Sequence, residues 1–353
     1  MALEIAVVQR FLPPDSRGGA GHFTAGLCAA LALRGHRVTV FSHDRGPAEA
    51  RYHVDQLPGR DRRLAPIVFP RQIAAIDFSR FDVIHAQGDD QFIRHRGRPV
   101  VRTLHGSSLD EALANGVRAL SPKHLLLHVW FYQGELIAAL RADAVTAVSA
   151  AAGRHVPRHL DVIPNGVDTR ALAPDGTAKS AQPSILFVGE LDSRKRGRWL
   201  ARVFLDQVRP RVPGAELWLV SPDRAEGPGV VSLGTLDDAA LRDCYRRAWM
   251  LCLPSAYEGF GRPYVEAMAA GTAVVASPNP GARDVLADGR FGVIADDAAL
   301  GAAIVDLIDD ASRRRVLEAA GIARAAEYDW PVVAAAYERV YERVMKAGRR
   351  GSP

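Results

Sequence analysis

Residues 256–276 read AYEGFGRPYVEAMAAGTAVVA. The short apolar run Leu251–Leu253 leads into a loop holding Gly259 and Gly261. A helix is expected to start at Pro263, because proline's fixed φ and missing N–H suit a first helical turn. A second apolar run, Ala273–Ala276, follows. Strand, glycine-bearing loop, helix and strand in that order make a βαβ unit, whose crossover obliges both strands to run parallel. Such a loop presents backbone N–H groups at a helix N-terminus, where the dipole and close approach past glycine favour phosphate oxygens. Glu258 sits on the loop and Glu266 about a turn inside the helix, so two carboxylates flank one anion pocket. Carboxylates repel a diphosphate at contact distance, so their expected partners are hydroxyl groups. A plain turn followed by a first-turn charge is the structural alternative.

The same alternation extends in both directions. Strands are expected at Ile5–Val8, Val38–Phe41, Val83–His85, Val100–Leu104, Ala144–Val148 and Asp161–Ile163, with a helix at Thr24–Arg34 ended by Gly35 in a left-handed cap. Between Thr169 and Pro183 the composition turns to Pro, Asp, Gly, Thr, Ser and Gln, which reads as a linker. The pattern then restarts, with strands at Ile185–Val188, Glu216–Val220 and Val230–Leu233 and helices at Arg198–Val208, Asp237–Ala248 and within Ala298–Glu327. The expected division is residues 1–168, a linker at 169–183, residues 184–329, and a terminal helix at 330–353 that crosses back to the first domain. Its apolar stripe, Val333, Tyr337, Val340, Tyr341 and Val344, needs a surface to cover. Two doubly wound sheets in one chain are expected to share a ligand site in the cleft between them.

Composition narrows the class. A chain of 353 residues suits two domains, and 48% hydrophobic with 24% charged residues disfavours disordered, collagen-like and coiled-coil proteins. A net charge of +5 does not make nucleic acid the default partner. Three cysteines without a CxxC pair argue against a disulfide framework or a cysteine zinc site and fit a reducing cytoplasm. The N-terminus lacks the basic region of a secretory leader. Leu125–Leu140 is interrupted by His128, Gln133 and Glu135 and falls short of the roughly 20 apolar residues of a span. The basic run Arg94, Arg96 and Arg98 suits a phosphorylated acceptor, an anionic membrane surface in peripheral contact, or simple solvation.

The Glu-x7-Glu spacing in EGFGRPYVEAMAAGTAVVAS resembles the signature of the retaining GT-B glycosyltransferases of family 4. Further segments agree in order: SRGGAGHFTAGLCAALALRGHRVTVFS, DVIHAQG, VVRTLHGSS, ADAVTAVS, VIPNGVDTR, ILFVGELDSRKRG, VVSLGTLDDAALRDCYRRA and YDWPVVAAAYERVYERV. The resemblance covers nearly the whole chain. It implies an α/β GT-B fold of two Rossmann-like domains, a nucleoside-diphosphate sugar as co-substrate, a hydroxyl acceptor that is a small metabolite, a lipid carrier or a polysaccharide, and neither metal nor cofactor. It implies catalytic roles for His105, Lys195 and Glu258. Donor contacts would come from Gly19, Gly189, Arg194, Arg196, Leu233, Glu258, Gly259, Phe260, Gly261 and Glu266, with Glu258 on the transferred sugar, Glu266 on the ribose and Lys195 on the diphosphate. Acceptor contacts would come from Arg17, Gly18, Gly19 and His105, with specificity in the loops Arg45–Arg71 and Ser107–Lys123. The chain departs from the family at Glu190, where an arginine usually follows the glycine. Arg194, Arg196 or Arg262 then replaces that cation, or donor binding is weaker or differently arranged.

Ser149 and Asn165 are read as a helix cap and a turn residue. A dinucleotide fingerprint at Gly19 and Gly21 fails, because the glycines lie about ten residues past the strand and Thr24 holds the third glycine position. No Gly-x4-Gly-Lys-Ser/Thr, HExxH or GxSxG sequence occurs. The competing expectations are a nucleotide-sugar epimerase or phosphorylase on the same architecture, and a binder of sugar nucleotides without activity.

Overall fold

The computed structural model describes residues 2–14, 19–59, 64–93, 97–106 and 122–350. The chain forms two compact units, Met1–Gly166 with Trp330–Pro353, and Val167–Asp329.

The first unit is built on β1 (Glu4–Val8), β2 (Arg37–Ser42), β3 (His53–Gln56), β4 (Val83–Ala86), β5 (Val100–Leu104), β6 (Ala144–Ala147) and β7 (Asp161–Val162), in the order β3-β2-β1-β4-β5-β6-β7. Every pairing is parallel; Val7, for example, lies opposite Val40 and His85. Strands β4, β5 and β6 are buried along their whole length, as crossover helices on both faces require. Helices α1 (Gly19–Leu33), α2 (Ala65–Ala74) and α3 (Pro122–Arg141) connect the strands. Gly35 adopts φ +92°, the left-handed end expected of α1.

The terminal helix, Trp330–Arg350, completes this unit's core. Its Val333, Tyr337, Val340, Tyr341 and Val344 are buried in one cluster with Leu27, Leu31, Val38 and Val101. At its start the Trp330 ring lies so close to Gly26 and Gly166 that a Cβ at either would fall 2.1 Å from a ring carbon. Polar ties flank the stripe: Arg34 Nη2 to Glu338 Oε2 at 2.7 Å, His36 Nε2 to Glu338 Oε1 at 2.8 Å and Arg343 Nη1 to Asp161 Oδ1 at 3.0 Å.

The second unit repeats the plan with β8 (Ser184–Val188), β9 (Glu216–Val220), β10 (Val230–Gly234), β11 (Met250–Leu253), β12 (Ala273–Ala276) and β13 (Val293–Ile294), ordered β10-β9-β8-β11-β12-β13. All pairings are again parallel. Helices α4 (Gly197–Val203), α5 (Asp238–Arg247) and α6 (Arg262–Ala269) lie between strands. The segment Ala298–Glu327 holds two helices, Leu300–Asp309 and Ala311–Ala325, broken where Asp310 turns to cap the second by accepting from Arg313 N at 2.8 Å.

Residues 169–183, expected as a linker, pack within the second unit. Asp168 caps a one-turn helix, Thr169–Leu172, and Lys179 Nζ donates to Ala248 O, Gly271 O and Thr272 Oγ1 at 2.8, 2.9 and 2.8 Å. Three acceptors fix an ammonium whose burial lowers its pKa to about 8. The first unit's main segment accordingly ends at Gly166 rather than Asp168. In both sheets the strand order reverses beside the first strand, between β1 and β4 and between β8 and β11. Open α/β sheets bind ligands at the carboxyl ends of the strands at such a reversal.

Candidate active site

At the β8/β11 reversal, β8 is followed directly by Gly189, whose φ of +144° excludes most other residues. A Cβ there would lie 2.3 Å from Lys195 Cδ and 2.9 Å from Nζ, so glycine is what lets the lysine fold back over the strand end. Lys195 Nζ donates to Val188 O at 3.0 Å. An ammonium has three donors, and among the described residues Lys195 forms no ion pair. Burial lowers its pKa, and the nearby Glu258 carboxylate opposes that shift.

The loop after β11 faces this ammonium. Glu258 is 5% exposed, accepts from Ser255 Oγ at 2.9 Å and stands 2.7 Å from Arg194 Nη1. Asn279 fixes the loop, donating to Ser255 O at 3.2 Å, while Gly281 N donates to Glu258 O at 2.9 Å. Phe260 is buried edge-on against Tyr328, ring centroids 5.6 Å apart. Gly261 precedes α6 at φ +85°, and a Cβ there would strike the Tyr264 ring at 2.3 Å. The helix thus starts at Arg262, one residue before the expected Pro263.

The remaining cations expected at this end are committed elsewhere. Arg196 pairs with both oxygens of Asp297, at 2.9 and 2.6 Å, and stacks over Trp199 at 3.9 Å. Arg262 Nε lies 2.7 Å from Glu266 Oε1, and the buried Tyr245 hydroxyl donates to Glu266 Oε2 at 2.8 Å. Glu190 is exposed. Leu233 lies half-buried on the edge strand β10, beside Gly234 at φ +72°. Lys195, Gly189, Arg194 and Glu258 therefore form one cluster, from which Arg196 is turned away.

His105 lies in the first unit, just past β5 at the β1/β4 side of the sheet. It borders a cavity of about 860 Å³ whose lining includes Arg10, Ile67, Asp89, Phe92, Arg102 and Ile137. His105 Nε2 is 2.7 Å from Gln87 Oε1, and Phe23 stands edge-on to its ring at 4.9 Å. Burial, with Arg102 adding repulsion, lowers the pKa of His105 to about 4. The cavity floor is charged: Arg10 makes a bidentate pair with Asp89 at 2.9 and 3.0 Å, and Arg102, 3% exposed, pairs with Asp90. Sequence reasoning missed Gln87, Asp89 and Arg102, because an arginine inside an apolar strand pattern carries no signal of what faces it.

Gly19 opens α1 in open space, where an added Cβ would meet nothing within 4 Å, whereas Gly21 is the close approach, its Cβ position 2.7 Å from Phe11 O. Ala20 lines the cavity. Arg17, Gly18, Arg94 and Arg96 lie outside the described residues, as does most of Ser107–Lys123. The other expected acceptor loop, Arg45–Arg71, contains β3 and the start of α2, neither expected from sequence. Ser149 caps a short helix by accepting from Ala152 N at 3.1 Å.

Two parallel α/β units, the second with an ammonium and a glycine-bearing loop at its strand-order reversal, suit an enzyme that binds a phosphorylated ligand, and comparison with known proteins gives the class as glycosyltransferases. Residues 17–171 match the family described as Glycosyltransferase Family 4, and residues 182–310 match Glycosyl transferases group 1. The phosphatidyl-myo-inositol mannosyltransferase of Mycolicibacterium smegmatis is 30% identical over 95% of this chain and 92% of its own length. Sucrose-phosphate synthase from Thermosynechococcus elongatus superposes with a TM-score of 0.81 at 21% identity, covering 98% of this chain and 100% of that one. Anabaena HepE, solved with UDP-glucose, gives 0.72 at 17% identity over 97% and 100%. The chain belongs to the family 4 glycosyltransferases, its fold is GT-B, and its activity is glycosyl transfer. Among the described residues, no helix is long and apolar enough to cross a membrane.

Proposed function

We propose that the chain moves a sugar from a nucleoside diphosphate to an acceptor hydroxyl with retention of anomeric configuration and without a metal ion. The observation that carries this reading is the Lys195 ammonium folded over Gly189 beside Glu258 at the β8/β11 reversal. As the bond from the anomeric carbon to the leaving phosphate oxygen breaks, negative charge grows on that oxygen, and a fixed ammonium favours the transition state over the ground state. The acceptor oxygen bonds the same carbon from the same face and passes its proton to the departing phosphate. Lys195 and the Gly259–Gly261 amides hold the diphosphate, Glu258 the sugar hydroxyls, Glu266 the ribose, and His105 the reacting groups. With Arg194, Arg196 and Arg262 each facing a carboxylate, Lys195 serves as the principal cation where the family's arginine is replaced by Glu190.

The acceptor is read as amphiphilic. Ile67, Phe92 and Ile137, each more than 40% exposed, border the first unit's cavity together with Arg71 and Arg141, which suits an anionic head carrying an apolar tail. The M. smegmatis relative is named for a lipid acceptor of that kind. The free thiols of Cys28, Cys244 and Cys252 support a reducing, cytoplasmic setting.

The test is incubation with a panel of UDP-, GDP- and ADP-sugars and phosphatidylinositol, reading nucleotide release and, by NMR, the anomer formed. Donor-like configuration in the product is expected. An inverted product, an epimerised donor without acceptor, or tight donor binding with no nucleotide release would each overturn the reading.

A further inference from the structure

The terminal helix reaches the histidine at the first unit's cavity through a buried chain of hydrogen bonds. Tyr341, fully buried, places its hydroxyl 2.7 Å from His85 Nδ1. His85, also fully buried, places Nε2 3.0 Å from Gln87 Nε2. Gln87 Oε1 in turn lies 2.7 Å from His105 Nε2. Tyr341 is thereby joined to a residue 236 positions earlier (341 − 105) in three contacts.

The proton order along this chain follows from what each group can do. The amide oxygen of Gln87 only accepts, so His105 must carry its proton on Nε2 to bond it. The amide nitrogen only donates, so His85 Nε2 must hold a lone pair there. The single proton of neutral His85 then sits on Nδ1 and is donated to Tyr341 Oη. Thr103 Oγ1, 2.7 Å from the same His85 Nε2, is compatible with this order because its hydroxyl can donate to the lone pair, and it is itself within reach of Tyr337 Oη at 3.2 Å and Thr146 Oγ1 at 2.7 Å. Burial lowers the pKa of His85 to about 3, and His105 is lowered to about 4, so both rings are neutral at neutral pH.

We propose that Tyr341, His85 and Gln87 are positioning residues that lock His105 in its Nε2–H tautomer, so that the ring offers its Nδ1 lone pair to a ligand hydroxyl. His105 acts as a hydrogen-bond acceptor and neither as an acid nor as a cation. The consequence for transfer rests on the reading that His105 meets the substrates. The tautomer itself does not.

The experiment uses the full chain labelled with 15N-histidine, with the His105 signals identified by their loss in His105→Asn. The Nδ1 and Nε2 shifts distinguish the two tautomers. Wild type should show Nε2–H at pH 7. Gln87→Leu should allow exchange between tautomers and lower kcat roughly tenfold or more, with donor KM nearly unchanged, as loss of an orienting partner does elsewhere. Tyr341→Phe should do the same more weakly. Gln87→Glu keeps an acceptor towards His105 and should retain Nε2–H. An Nδ1–H ring in wild type, or an unaltered tautomer in both Gln87→Leu and Tyr341→Phe, overturns the proposal. A tautomer that changes while transfer does not would uphold the lock and remove His105 from the reaction.

Discussion

Arg194 Nη1 stands 2.7 Å from Glu258 Oε1 and donates to Tyr257 O at 3.1 Å, binding the loop after β8 to the loop after β11. The carboxylate side chain is only 7% exposed, against 30% for the arginine. Removing the cation strands a buried charge, so Arg194→Ala should destabilise the second unit by roughly 1–3 kcal/mol. In denaturant titrations, Glu258→Gln made on top of Arg194→Ala should cost less than Glu258→Gln alone. Additive losses would show that the two groups do not support each other.

Lys195→Ala should reduce kcat/KM by about 10²–10³-fold with little change in melting temperature, the scale seen when one charge-stabilising donor is lost. Gly189→Ala should approach the same loss, because its Cβ would displace the lysine from the strand end at a φ that alanine disfavours. Burial lowers the Lys195 pKa below the ordinary lysine value of 10.5. The ammonium is charged below that lowered value and lost above it. Turnover should thus decline on an alkaline limb before pH 10.5, a limb that Lys195→Arg should move upward.

Acid should weaken the first unit. His85 and His105 have folded pKa values of about 3 and about 4, below the 6.5 of an ordinary histidine. Between these values the unfolded chain binds more protons, so stability is full above pH 6.5 and is lost as pH falls towards 3. By the pKa-unit conversion the contribution is at most on the order of 5 kcal/mol for His85 and on the order of 3 kcal/mol for His105. Urea midpoints from pH 7 to pH 4 should fall in wild type and fall less steeply in His85→Gln. An equal slope in both would reject a neutral buried His85.

Gly26→Val should push a side chain into the Trp330 ring and cost roughly 1–3 kcal/mol, as overpacking of a filled core does. Gly26→Val combined with Trp330→Ala should recover part of that loss. If the double variant is weaker than the sum of its parts, the glycine serves another purpose.

Much of the sheet architecture was legible because parallel strands buried on both faces are written as apolar runs such as Ala273–Ala276 and Val100–Leu104. The edge strand β3, reading His-Val-Asp-Gln with no residue buried, lacks that signal. Helix α2 hides behind Pro66 and Pro70, which read as breakers. The stretch 169–183 reads as a linker because its composition is polar, yet Lys179 anchors it together with Arg246, which donates to Ala171 O and Ala173 O, and Trp249, which donates to Ser180 O. At the site, the glycines and carboxylates of the loop after β11 declared themselves by spacing. The pairing of Arg196 with Asp297, 101 positions apart, could not, since ion pairing depends on tertiary proximity. Gln87 was silent for the same reason: an amide acquires meaning only from the two rings it bridges.

The first unit is discontinuous: Trp330–Arg350 enters its core only after all of Val167–Asp329 has intervened. During synthesis the seat for Tyr337 and Tyr341 therefore stands open on the nascent chain until the second unit has left the ribosome. Cells pausing translation late in this message would accumulate a form with an exposed greasy trough, a natural recruit for chaperones and for proteolytic clearance.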